Sequence, residues 1–189
     1  MIATRWIEEP IDYDGSQLRA HWILQRFDLV GDAMVAFRGG CRVTREEIAD
    51  LADLDGPGIA ADDMLHFLWE TFSTPDLLLA ATRQRLLSAQ AAEVLRELRP
   101  GAELRRTGDD LYIGDGKLSI SIATVSPVSA LIHFALNCRQ GGAPVPIASL
   151  EGLQVEPRNV AMALLQRVAD ETSSIVAARA KVRAKGEWR

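Results

Sequence analysis

Cysteine and histidine are scarce in this chain of 189 residues: there are 2 Cys and 3 His, widely scattered, with no CxxC or HExxH spacing. That excludes a disulfide scaffold and leaves no metal-ligand motif to assign. Aromatics make up only 6%. Neither GxxxxGK[ST] nor GxGxxG occurs, so the phosphate loops of P-loop and dinucleotide-binding proteins are missing. No apolar run approaches the ~20 residues that span a bilayer. The opening MIATRWIEEP has acids where a signal peptide needs an apolar stretch. A cytoplasmic protein with Cys41 and Cys138 as thiols is expected. Charge of one sign is also lacking: 21 Lys and Arg against 26 Asp and Glu leave a net charge of −5. Such a balance exerts no general pull on nucleic acid or an anionic membrane, and neither is expected as a partner.

What is present is ordinary for a globular protein: 48% hydrophobic and 25% charged residues. The length suits one domain over 1–189, roughly 100–200 residues being typical. No repeat, low-complexity stretch or flexible linker interrupts it. Asp14-Gly15 signals a turn, after which Ser16 is placed to cap a helix over Gln17 to Phe27. Ala33 to Phe37 reads as a buried strand that stops at Arg38-Gly39-Gly40-Cys41. Residues 42–58 are polar and turn-rich. MLHFLWETF (64–72) reads as a strand because three aromatics fall within six residues. A long helix is predicted from Asp76 to Arg99, bounded by Pro75 and Pro100-Gly101. Leu111–Ile113 and Leu118–Ala123 read as a hairpin around Asp115-Gly116, the second strand alternating Leu/Ile with Ser. Ser129 to Cys138 is another strand, and a last helix runs from about Arg158 to Val182. The sum is an α+β fold with a mixed or antiparallel sheet packed with helices. The absence of βαβα alternation disfavours a doubly wound fold.

Two clusters carry candidate chemistry. Lys117 opens an otherwise buried strand beside Ser119, Ser121 and Thr124. There it either presents its ammonium to a carboxylate or phosphate, or lies at a hairpin edge in water. Arg38-Gly39-Gly40-Cys41 is either an ordinary turn or one whose exposed amides hold an anion. Cys41 beside Arg42 is either a small buried thiol or a nucleophile of lowered pKa. Ser16, Arg19 and His21 offer a helix start that could line a pocket, or a cap with a solvated face. His66, among aromatics, reads as a packed core histidine. Asp109 and Asp110, as strand neighbours, point to opposite faces and cannot both serve one site. Gly-Ala-Pro-Val-Pro after residue 141 is a pocket rim or a subunit contact.

Three segments resemble motifs of one superfamily. GDDLYIGDGKLSISIA (108–123) resembles the Asp-Leu…Lys-x-Ser-Gly-Ser segment of lipoate–protein ligases. IHFALNC (132–138) resembles the His-Gly-x-Ala-Leu-Asn-Val segment of lipoyl(octanoyl) transferases, and FRGGCRVTREEIADL (37–51) a degenerate Arg-x-Ser-Gly-Gly-Gly motif with its following His-Asp-Leu. Over nearly its full length the chain is similar to the domain of unknown function family 366, through EEPIDYDGSQLRAHW, MLHF, RQRLL and KLSISIATVSPVSALIH. The resemblance implies the fold of biotin and lipoate ligases and class II aminoacyl-tRNA synthetase cores. It implies Lys117 as the group on an acyl carboxylate or adenylate phosphate, Arg38, Gly39, Gly40 and Cys41 at the tail- or phosphate-holding turn, and Asp110 in an orienting role. Ser119, Ser121, His133 and Asn137 take ligand-lining positions. ATP and Mg²⁺ are implied as cofactors if an adenylate forms, a small carboxylate as ligand, and a carrier protein as acceptor. Exposed sheet edges in such folds also favour a homo-oligomer.

The sequence departs from those motifs. Ile120 stands where the ligases have Gly, Cys41 replaces the third Gly, and GGAPVPIASLEGL (141–153) lacks the cysteine nucleophile of octanoyl transferases. The expectation is a carboxylate-binding or carboxylate-activating enzyme of the ligase or acyltransferase type. The alternatives are a non-catalytic ligand-binding or regulatory module on the same fold, and a small-molecule-modifying component of a larger complex.

Overall fold

The computed structural model describes residues 2–183, 185 and 186. Its main sheet has five strands in the order β1-β2-β3-β8-β7. These are β1 (Ala3–Trp6), β2 (Ala33–Val43), β3 (Ile59–Thr71), β7 (Ser119–Val125) and β8 (Ala130–Asn137). β1 joins β2 in parallel and every other pairing is antiparallel, so the sheet is mixed as expected. A second antiparallel sheet comprises β4 (Leu104–Thr107), β5 (Asp110–Ile113) and β6 (Gly116–Lys117). The helices are α1 (Trp22–Phe27), α2 (Leu77–Leu98) and α3 (Pro157–Lys181).

The period-two geometry of strands sorts side chains between the two faces of the main sheet. Leu65, Phe67 and Trp69 of β3 and Ile132, Phe134 and Leu136 of β8 join the core under α2 and α3. α2 answers with Leu87, Ala91, Val94 and Leu95, a stripe at three- and four-residue spacing. Its start is capped by Asp76, whose Oδ1 accepts from Leu79 N at 2.7 Å. The opposite face carries Val35, Phe37, Met64, Leu68 and Ala135, covered by Tyr13, Ile23 and partly buried Trp22. Because both faces are covered, all eight residues of β8 are buried, and the strand is apolar except for His133 and Asn137.

The strand from Ala33 does not stop at the glycine pair; it continues through a bulge between Gly39 and Cys41 to Val43. Residues 11–13 lie alongside it. Ile11 N donates to Arg38 O and Tyr13 N to Gly40 O, each at 2.9 Å, and a parallel bridge joins Tyr13 to Cys41. A Cβ on Gly39 would stand 2.0 Å from Ile11 O. The glycine thus permits a close backbone approach, but the backbone that approaches belongs to this chain.

Two other local expectations change. The first helix begins only at Trp22, because Ser16 is held in an Asx turn: its N and Oγ both donate to Asp14 Oδ1, at 2.9 and 2.6 Å. The hairpin around Asp115-Gly116 closes β5 on β6 only. Beyond Leu118 the chain crosses into the main sheet, where β7 pairs with β8. Leu118 N, donating to Leu111 O at 2.7 Å, and Ser119 Oγ, accepting from Leu111 N at 2.8 Å, fasten the small sheet at that crossing.

Candidate functional site

On the sheet face away from α2 and α3, beneath residues 43–61 and 143–147, lies a cleft of about 420 Å³. This is the size of a small-ligand site. Its floor includes Met64, Ile120, Ile122, His133 and Asn137, and its rim includes Asp109, Asp110 and Lys117.

Lys117 is fixed at both backbone and side chain. Its N donates to Pro146 O at 3.1 Å, and its carbonyl accepts from Ala148 N and Asn137 Nδ2, each at 3.0 Å. Its Nζ lies 2.9 Å from Asp110 Oδ2, with about a third of the side chain exposed. An ammonium with one carboxylate partner keeps donors for a second acceptor. Asp109 Oδ1 pairs with Arg85 at 2.7 Å and Asp109 Oδ2 accepts from Gln84 Nε2 at 2.8 Å. Both aspartates therefore border one cleft, contrary to the strand-neighbour expectation. Asp109 lies in the turn before β5, where strand alternation does not apply. Glu47, Asp50 and Asp53 add three more carboxylates, and Lys117 is the one Lys or Arg in the described lining.

His133 of the floor is paired with a second buried histidine, His66, outside the lining. His66 Nδ1 and His133 Nε2 are 3.0 Å apart, and His66 Nε2 lies 3.3 Å from Gly39 O. Tyr13 stacks on His133 with centroids 3.8 Å apart and planes at 13°. Burial lowers the pKa of His66 to about 4, with the carbonyls of Gly39 and Gly40 opposing. Burial, and then His66 itself, puts His133 well below the ordinary range. Both rings are neutral at pH 7.

The expected site residues divide into two groups. Lys117, Asp110, Ser121, His133 and Asn137 come together in the cleft lining. Ser121 Oγ accepts from Gln84 at 2.9 Å and donates to His133 O at 3.2 Å. Ser119 is fully buried and bonds Leu111, outside the lining. Arg38 also lies outside, its guanidinium bidentate on Asp63 at 2.7 and 2.5 Å. Gly39 and Gly40 do not form an open cradle: the first packs on Ile11 O, and Gly40 N donates to Asp12 Oδ1 at 2.8 Å. Cys41 is buried outside the lining, and desolvation raises its thiol to about 12, which leaves no thiolate at neutral pH. Ser16 sits in its Asx turn and Arg19 is exposed, both outside the lining.

The motifs did not single out Tyr13, the His66–His133 contact or the acidic cover. Three histidines in the whole chain, two of them at mid-strand, were the available signal for the pair. The turn-rich stretch 42–58 and the Gly-Ala-Pro-Val-Pro segment were the signals for the cover.

The residues matched to a phosphate-holding turn do not fit ATP as they stand. The Gly40 amide is engaged, Gly39 is packed against backbone, and the lining opposes five carboxylates to one lysine. Among the described residues no group of three or more His, Cys, Asp or Glu is placed to hold a metal ion, and no helix is long and apolar enough to cross a membrane.

Comparison with known proteins gives the family and the fold. The model of the family described as Domain of unknown function (DUF366) matches residues 2–183. A protein of unknown function from Pyrococcus horikoshi superposes with a TM-score of 0.93 at 41% identity, over 97% of this chain and 99% of that one. The biotin protein ligase from Aquifex aeolicus in complex with biotin and ATP gives 0.61 at 14% identity, over 92% of this chain and 71% of that one. A putative lipoate protein ligase from T. acidophilum with bound lipoic acid gives 0.56 at 18% identity, over 91% and 86%. At such identities the last two show a shared fold, that of biotin and lipoate ligases.

Proposed function

The chain belongs to the DUF366 family, and from its cleft we propose that it binds a small carboxylate ligand and acts on the carboxyl group as a ligase- or acyltransferase-type protein, with Lys117 as the central group. The observation that carries this is the rigid mounting of Lys117 at the rim of a cleft of suitable volume. Asp110 aims the ammonium, and Asn137 together with the 146–148 segment fixes the backbone that bears it. A positioned ammonium stabilises negative charge at a carboxylate or at the oxygen of a transferring acyl group. The biotin and lipoic acid bound by the structural neighbours are both carboxylic acids, which supports this class of ligand. No step is derived through ATP.

A specific observation favours a second reading, a non-catalytic binding module: the closed glycine pair removes the cradle that resemblance assigned to phosphates. One experiment separates the two. The protein is offered a panel of carboxylic acids, biotin and lipoate included, and retention is measured by dialysis. Pyrophosphate exchange with ATP and Mg²⁺, and acyl transfer from thioesters, are measured in parallel. Retention of an acid with turnover, both lost in Lys117→Ala, supports the enzyme. Retention without turnover, again lost in Lys117→Ala, supports the module. If Lys117→Ala alters neither binding nor turnover, the assignment of this site fails. A charge-assisted hydrogen bond contributes about 1.5–3 kcal/mol, so the expected loss of affinity is on the order of tenfold to a hundredfold.

A further inference from the structure

The His66–His133 contact has a defined direction. Gly39 O can only accept, so His66 Nε2 carries the proton that faces it at 3.3 Å. A neutral His66 then has a bare Nδ1, which must accept from His133 Nε2–H across 3.0 Å. A neutral His133 is left with a lone pair on Nδ1. His133 lines the cleft. No described protein group hydrogen-bonds that atom, and it is not among the sealed, unpartnered polar atoms, which are the indole nitrogens of Trp6 and Trp69. Stacking of Tyr13 on one face of the ring fixes its plane. The chain from Gly39 O through His66 to His133 thus presents one oriented acceptor to a cleft floor otherwise lined by Met64, Ile120 and Ile122.

We propose that His133 Nδ1 is the specificity-determining acceptor of the cleft, selecting acids whose far end carries an O–H or N–H donor. The proposal rests on the carboxylate end lying at Lys117. Lys117 O is bonded to Asn137, and His133 lies four residues along β8 from Asn137. At ~3.4 Å per residue, the backbone positions of His133 and Asn137 are about 14 Å apart along the strand. An acid of about eight chain atoms is a probe on the scale of that floor. An acid ending in a methyl group would displace solvent from Nδ1 without replacing its hydrogen bond. A site built to accept a donor rejects such an analogue by about tenfold or more.

The test uses octanoate and its isostere 7-hydroxyheptanoate, which differ by CH₃ against OH. Calorimetric titration is expected to show the hydroxy acid bound at least about tenfold more tightly, a preference lost in His133→Phe, which keeps a ring under Tyr13, and partly kept in His133→Gln, whose amide oxygen can accept. Equal binding, or a preference that survives His133→Phe, overturns the proposal. Long-range ¹H–¹⁵N correlation on the unliganded wild type gives a reading that requires no variant to fold: both rings are expected as Nε2–H tautomers, and a proton on His133 Nδ1 overturns the proposal. If neither acid binds, the carboxylate reading fails separately. 2-Imidazolidinone, a cyclic urea with N–H donors and no carboxylate, then decides. A saturable shift of the His133 Nδ1 resonance supports the acceptor role, and no shift refutes it.

Discussion

Gly39→Ala separates two roles for the glycine pair, room for the chain's own backbone or a cradle for a ligand. The new Cβ would meet Ile11 O at 2.0 Å, Ile11 C at 2.5 Å and Asp12 N at 3.1 Å. All three are backbone atoms, so no side chain can swing aside. Either β2 or the segment 11–13 must move. If the segment retreats, it weakens the hydrogen bonds Ile11 N to Arg38 O, Tyr13 N to Gly40 O and Gly40 N to Asp12 Oδ1. Overpacking of this kind costs about 1–3 kcal/mol, and each weakened hydrogen bond up to about 1 kcal/mol. With partial relaxation the expected loss is about 2–4 kcal/mol. For a chain of this length that lowers Tm by roughly 5–15 °C. Gly40→Ala is the internal comparison. Its Cβ meets the end of the Asp12 side chain at 3.2 Å, which can rotate, so a loss of about 1 kcal/mol is expected. Differential scanning calorimetry reads both variants. If Gly39→Ala shifts Tm by less than about 2 °C while abolishing ligand binding, the glycine serves a ligand and the reasoning is wrong. If it lowers Tm as calculated, any loss of binding follows from displacement of Tyr13.

Stability should fall with acidity in a window that His66 and His133 define. The unfolded chain takes up protons at these groups near pH 6.5, whereas folded His66 resists protonation until about pH 4. The unfolded state therefore binds more protons between those values, and folding weakens as pH drops from 6.5 towards 4. His66 alone accounts for about 3 kcal/mol of this, and His133 acts in the same direction. Urea unfolding at pH 7 and pH 4.5 measures it, and a His66→Gln variant with an undiminished slope would refute the assignment. Glu70 is buried and accepts from His21 N at 2.9 Å and Ser129 Oγ at 2.7 Å, joining the start of α1 to the β7–β8 turn. Glu70→Ala should cost about 2–4 kcal/mol by leaving those donors unpartnered, and Glu70→Gln less; equal urea midpoints for the two would contradict this.

Much of the architecture was legible because it follows from local periodicity. The α2 stripe, the Pro75 and Pro100-Gly101 boundaries and the alternation in β7 each depend on neighbours within one element. Lys117 and Asp110 were legible as neighbours because a motif held them seven residues apart, and the structure pairs them at 2.9 Å. Ser16 misled because a short polar side chain next to Asp-Gly suits an Asx turn as well as a helix cap, and only the surrounding packing selects between them. Arg38 misled because its strand continues past the glycines, which carries the guanidinium to Asp63 and away from the cleft.

Composition, charge and periodicity alone determined an α+β chain with no membrane-spanning run, no disulfide scaffold and a lysine beside a recognisable turn. Only tertiary structure decided which backbone fills the space over Gly39, which of the clustered polar residues share a cleft, and that two histidines 67 residues apart meet at 3.0 Å. Those outcomes depend on contacts between elements distant in sequence. A motif records the residue types at a site but not the partner that the fold brings to each.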